Sequence, residues 1–210
     1  MKSNLIQKLI TKVGHMSLTT MVVFSAMAAS AKTPVVPYTI LKSYENSIQI
    51  RHYPSAVVAE TEMIAGDKNS AFRILAGYIF GKNIDSKNIG MTAPVDMGGK
   101  NIGMTAPVDN FDKDGKSYMR FYMPEEYSLQ SLPKPLDPRI VIRELPASER
   151  AVIEFSGTMS HKNVSKHQAA LEQWMTEQGL TALSAPLLSG YDAPWTPWFL
   201  RRNEIAFIIK

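Results

Sequence analysis

Twice along this chain the hydrophobic pattern runs through the same series: strand, strand, helix, strand, strand. In the first series residues 47–53 and 57–63 alternate apolar and polar side chains, the period of a half-buried strand. Val57, Ala59, Thr61 and Met63 fall on one face. Residues 68–81 place apolar side chains at 71, 72, 75, 78 and 79, one stripe of a helix that Gly81 can stop. Segments 87–109 and 117–123 supply the next strands. The second series has strands at 140–145 and 151–156, a helix over 161–178 ended by Gly179, and strands at 187–191 and 204–209. A further strand at 38–43 precedes them. Strands do not alternate with helices, so a parallel α/β sheet is a poor fit. The order predicts an α+β fold with two helices laid on antiparallel strands. Each series alone is too small to bury a good core, and the two are expected to share one domain over residues 38–210.

The segment between the first helix and residue 117 is unusual. Residues 87–96 and 100–109 both read KNIGMTAPVD. Two identical copies cannot build a solenoid, so this is a local duplication. In each copy Ile, Met, Ala and Val alternate (89, 91, 93, 95 and 102, 104, 106, 108), the pattern of a strand. Pro94 and Pro107 lack a backbone donor, which places such strands at an edge or at a bulge. Met97-Gly98-Gly99 between them can close a hairpin. Alternatively, one copy is the structural strand and the other a tolerated loop insertion. Farther on, three prolines in 132–138 read as an extended connection.

The formal charge of +4 invites a nucleic-acid reading, but its source argues otherwise. Residues 1–31 carry Lys2, Lys8 and Lys12 with no acid, then a mostly apolar run over 16–28, then Ala29-Ser30-Ala31. That is the order of a secretory signal, with an apolar run too short for a stable membrane anchor. Cleavage before Lys32 removes three lysines and leaves a mature chain near +1, without the electrostatic footprint that nucleic acid requires. A periplasmic or secreted location is expected, with no stable membrane insertion after cleavage and with residues 32–37 as a short tether. The chain has no cysteine, which excludes disulfides, thiolate metal sites, a cysteine nucleophile and covalent c-type haem attachment.

Several segments stand together in a recognisable order: residues 50–53 (IRHY), 76–83 (AGYIFGKN), 100–108 (KNIGMTAPV), 121–124 (FYMP), 189–195 (SGYDAPW) and 202–205 (RNEI). The chain resembles the SOUL haem-binding family over residues 38–210. The resemblance implies a pseudo-symmetric, distorted antiparallel β-barrel of two similar halves with two flanking helices, a fold shared with GyrI-like effector-binding modules. It also implies non-covalent binding of haem or a related tetrapyrrole. Members of the family use a histidine in the Ile-Arg-His-Tyr position as axial ligand, and the resemblance carries that role onto His52; other members hold the porphyrin by apolar packing alone. The doubled KNIGMTAPVD departs from members with a single copy.

The residues themselves set the terms for such a site. Haem needs an apolar slot, in many cases an axial ligand, and cations or water for its propionates. His52 shares a strand face with Ile48 and Ile50; the plain alternative is a core-edge histidine bonded to a backbone carbonyl. Met91 and Met104 offer thioethers, though such strand methionines also serve as core. Trp174, Trp195, Trp198 and Phe199 can floor an apolar cleft, and Arg51, Lys100, Arg201 and Arg202 can meet propionates. His161 and His167 lie on different faces of the second helix and read as solvated surface; His15 leaves with the signal. Three functions compete: a tetrapyrrole binder, a GyrI-like module for other amphipathic small molecules, and a porphyrin-modifying enzyme. No hydrolase elbow, zinc-protease motif or phosphate loop is present, which favours a non-enzymatic binder. N-terminal sequencing of the mature protein should read Lys32-Thr33-Pro34. An intact Met1 on soluble protein would contradict the export reading.

Overall fold

The computed structural model describes residues 33–84 and 99–210. The first KNIGMTAPVD copy, Met91 and the signal segment with His15 lie outside the described residues. Strands β1 (Thr39–Ser43), β2 (Ile48–Tyr53) and β3 (Ala56–Glu62) lead into helix α1 (Lys68–Ile79) and the short β4 (Asn83–Ile84). Then come β5 (Thr105–Lys113), β6 (Lys116–Tyr122), the short β7 (Lys134–Pro135) and β8 (Val141–Leu145). β9 (Ser148–Phe155), α2 (His161–Glu177), β10 (Leu187–Gly190) and β11 (Asn203–Ile208) complete the second series.

Local chemistry sets the helix bounds. The Asp67 carboxylate accepts from Ser70 N (3.0 Å) at the start of α1, and Ser160 Oγ accepts from Asn163 N (3.4 Å) at the start of α2. Past α2, Gly179 takes φ 68°, which lets Leu180 N reach back to Met175 O at 2.9 Å.

Nine strands form one antiparallel sheet in the order β1-β2-β9-β11-β10-β5-β6-β3-β8, while β4 pairs with β7. The order reveals a reciprocal exchange. β2, from the first series, pairs with β9 of the second, and β8, from the second, pairs with β3 of the first. β5 and β10 meet at the centre through Asp109↔Ser189 and its two neighbours. β6 and β9 are separated by three strands, yet Arg150 Nη1 donates to Tyr122 Oη at 3.3 Å. Strands lie about 4.8 Å apart, so a flat sheet would hold these two far out of reach. The sheet is curled into a half-barrel.

Each helix covers one end of the convex face. Leu75, Tyr78 and Ile79 of α1 pack on Ala59, Met119 and Phe121; Leu171 and Met175 of α2 pack on Ile48, Ile50, Ile153 and Phe207. A third cluster, with Tyr53, Val58, Tyr122, Val152 and Ala206, lies inside the curl and joins the halves.

The second KNIGMTAPVD copy supplies the start of β5. The register of β5 against β6 shifts between Thr105 and Val108, so Pro107 sits in a bulge of a central strand. Residues 33–37 are more than a tether: Val36 N donates to Ala106 O (2.8 Å) and Ala106 N to Pro34 O (2.7 Å). The bulge leaves these groups free of the ladder, and the extended segment takes them.

Inside the curl lies a layer of arginines, tyrosines and carboxylates. Glu204, 2% exposed, accepts from Arg51 Nη1 (2.9 Å) and Tyr191 Oη (2.7 Å) and also pairs with Arg202. Arg51 is 1% exposed and stacks over Tyr38 at 4.2 Å. Burial disfavours its charge, but Glu204 and Tyr53 together outweigh that and raise its pKa above the ordinary value. Glu60 pairs with Arg120 and Arg143. Burial opposes its ionisation, yet the two guanidiniums hold its pKa below the usual carboxylate range. Tyr122 donates to Asp109 Oδ2 (2.7 Å); burial, helped by Asp109, pushes its hydroxyl up to about 12. Removing one partner of a buried pair strands the other charge, at about 3–5 kcal/mol. Glu204→Ala should lose stability on that scale in urea unfolding, and Glu204→Gln should lose less. A loss below about 1 kcal/mol for Glu204→Ala would show that Arg51 does not depend on this carboxylate.

Candidate functional site

The pairing of residues 33–37 with the β5 bulge creates a wall, and beside it lies a cleft. Its volume is about 740 Å³, within the range of small-molecule sites. Pro34, Val35, Val36 and Pro37 form one side. Ile102, Gly103, Met104 and Thr105, from the second KNIGMTAPVD copy, form another. Val57 at the start of β3 and the loop from Met123 to Gln130 close the rest, with Glu144 of β8 at the margin.

Backbone bonds fix these walls. Ile102 N donates to Ile79 O (2.8 Å), tying the motif to the end of α1, and Met123 N donates to Val57 O (2.9 Å). Asn83 is buried and clamps Lys100: its Nδ2 donates to Lys100 O (2.8 Å) and its Oδ1 accepts from Lys100 N (2.9 Å). Gly103 takes φ 83°, a conformation that favours glycine, and so turns the chain between Ile102 and Met104. Lys100 Nζ lies 4.8 Å from the centre of the Tyr127 ring, which itself lines the cleft.

Thr105 is only 6% exposed, and its Oγ1 has no hydrogen-bond partner. Met104 and Met123 bring two thioethers to the lining. The lining therefore mixes aliphatic side chains and two thioethers with polar residues, and a lysine stands beside it. Among the described residues no group of three His, Asp or Glu side chains is arranged to hold a bare metal ion.

The residues singled out from sequence do not converge. Met104 lines the cleft. His52 does not: it is half-buried on β2, opposite Thr39 and Glu149, on the α2 side of the sheet. Arg51, its neighbour, points to the other face and is committed to Glu204. Trp174 packs edge-on against Tyr44 at 4.7 Å, beside the α2 core. Trp195 and Trp198 are 85% and 61% exposed and form no part of the cleft. Arg201 holds its own loop through Thr196 O and Pro194 O, and Arg202 is paired with Glu154 and Glu204. His161 is exposed as expected. His167 is not solvated surface: it stacks on Phe155 at 4.4 Å because its side of α2 faces β9. Sequence reasoning missed Met123, Tyr127 and the 34–37 wall. The prolines bracketing Val35 and Val36 were the available signal, since they mark a stiff extended segment.

A curled antiparallel sheet of two exchanged halves with two helices on its outer face defines an α+β fold. Solved structures share the fold. The C-terminal domain of EcmrR is 12% identical, with 82% of this chain and 98% of that chain covered and a TM-score of 0.55. A hydrolase from Listeria innocua is 12% identical, with 79% and 92% covered and a TM-score of 0.54. At these identities the likeness is one of fold. No curated protein matches the chain in sequence. Residues 33–208 match the SOUL heme-binding protein family, and the chain belongs to that family.

The orphaned hydroxyl gives a direct test of the cleft. Thr105→Val keeps the shape and removes an unpaired buried polar group. Without ligand the variant should be as stable as wild type or gain up to about 1 kcal/mol. A clear loss in thermal melts would show that the hydroxyl is already satisfied.

Proposed function

We propose that the mature protein is an exported, non-enzymatic binder of haem or a related tetrapyrrole, held non-covalently in the cleft beside β5. One observation carries the reading. Two of the segments that resemble the family, 100–108 and 121–124, lie apart in sequence, pair with each other in the sheet and both contribute to the lining of one cleft. The residues fit a flat macrocycle: Val35, Val57, Ile102 and Leu129 offer apolar contact, and Met104 and Met123 offer soft ligands for iron. Lys100, beside Tyr127, is placed to meet a propionate at the edge. Bound haem would supply the iron and the visible absorbance; the protein's part is to bury the ring and exclude water.

His52 does not line this cleft, so the reading assigns the ring to apolar packing rather than to histidine ligation. The order of the first 31 residues supports export. Among the described residues no helix is long and apolar enough to cross a membrane.

Titrating the mature protein with hemin should give a saturable, stoichiometric change in the Soret band. Met104→Trp, which fills the cleft, should weaken binding by about tenfold or more, equivalent to roughly 1.4 kcal/mol. His52→Ala should leave affinity within about twofold, because burial of the ring at roughly 25 cal/mol per Å² does not depend on that side chain. If His52→Ala abolishes the shift, the ring sits against β2 instead. With no saturable change in wild type, a module for other amphipathic molecules is the better reading.

A further inference from the structure

The lining of the cleft is one-sided in charge. Glu125, Glu126 and Glu144 stand at it, and among the described residues that line it none is Lys, Arg or His. These carboxylates come from different elements, the loop after β6 and strand β8, where Glu144 lies opposite Val57. All three are exposed, and none takes part in an ion pair among the described residues. Lys100 sets its ammonium against the ring of Tyr127, itself a lining residue. Behind the lining, Thr105 Oγ1 is buried without a hydrogen-bond partner.

We infer that this cleft selects tetrapyrroles by charge: it accepts rings with few carboxylates and rejects polyanionic ones. The inference rests on the tetrapyrrole reading above and adds to it which members of that class bind. Apolar walls lower the local dielectric and focus the field of the three glutamates on whatever enters. A ring with two carboxylates can present its bare edge to the glutamates and turn its charged edge toward Lys100. A ring with carboxylates on every side has no orientation that avoids the glutamates. Like charges brought together in such a site cost more than they do in bulk water.

The test uses protoporphyrin, coproporphyrin and uroporphyrin, whose rings carry progressively more carboxylates, titrated by fluorescence into the mature protein. Affinity should fall along the series, by about tenfold or more from first to last at low salt, and the spread should narrow as salt screens the mouth. In Glu125→Gln/Glu126→Gln/Glu144→Gln the series should flatten to within about threefold, mainly by gain of uroporphyrin binding. These side chains are exposed, and a melt unchanged from wild type confirms that the variant is folded. Uroporphyrin binding as tightly as protoporphyrin would overturn charge selection while leaving the tetrapyrrole reading intact. Charge selection by these glutamates is equally overturned if the spread survives the triple substitution. Failure of every porphyrin to bind would overturn both.

Discussion

Neither half of this protein can complete its own sheet. β2 and β3 are joined by a turn, yet β2 hydrogen-bonds to β9 and β3 to β8, at opposite ends of the strand order. A chain limited to the first series would leave β3 with an open edge and β2 with no partner beyond β1. Unpaired backbone groups of that kind are costly when buried, so the two series must be ordered together. The expectation of a single domain rested on size alone; the exchange of strands is the stronger reason.

The exchange also explains why so much charge is buried. Curling the sheet closes its inner face on itself, and residues from distant strands meet there. Asp109 of β5 accepts from Ser189 of β10 and from Tyr122 of β6, and Tyr122 in turn accepts from Arg150 of β9. That chain of bonds crosses between the halves at the seam. On either side, Glu60 with Arg120 and Arg143, and Glu204 with Arg51 and Arg202, satisfy the charges locally. Such pairs give less stability than apolar packing would, but their geometry admits few registers. A one-residue slip of β11 would move Glu204 to the helix side and leave Arg51 unpaired.

The elements were legible from periodicity, the site much less so. The stripe in 68–79 reported one covered face, and that is what the helix has; the alternation in 48–53 found the Ile48/Ile50 face but not that Arg51 and Tyr53 are buried on the other. Pro107 correctly demanded a bulge or an edge, and the bulge was chosen because β10 and β6 occupy both sides of β5. What failed was the step from side-chain type to convergence. Alternation placed His52 on the Ile48/Ile50 face, as found, but could not say that this face belongs to α2 rather than to the cleft. The tryptophans of 193–199 were attractive as a floor because aromatic residues usually find cover; here Trp195 and Trp198 do not. The basic residues were equally opaque. Arg51 and Arg202 are spent on Glu204, and the Arg51 pairing joins residues far apart in sequence that no local pattern records.

The cleft follows from the same constraint that makes β5 irregular. A regular central strand would keep its donors and acceptors in the ladder and leave nothing for residues 33–37 to bind. The bulge at Thr105–Val108 frees Ala106, whose N–H and C=O then capture Pro34 and Val36. The captured segment stands off the sheet and encloses space between itself and the Met123–Gln130 loop. Gly103 just before the bulge and Pro107 within it are thus two parts of one device. The glycine permits the turn that aims Met104 toward the cleft, and the proline disfavours the straight strand that would close it. In this reading the sequence Gly-Met-Thr-Ala-Pro is a way of opening a sheet along one strand, and the ligand chemistry is set by what borders the opening.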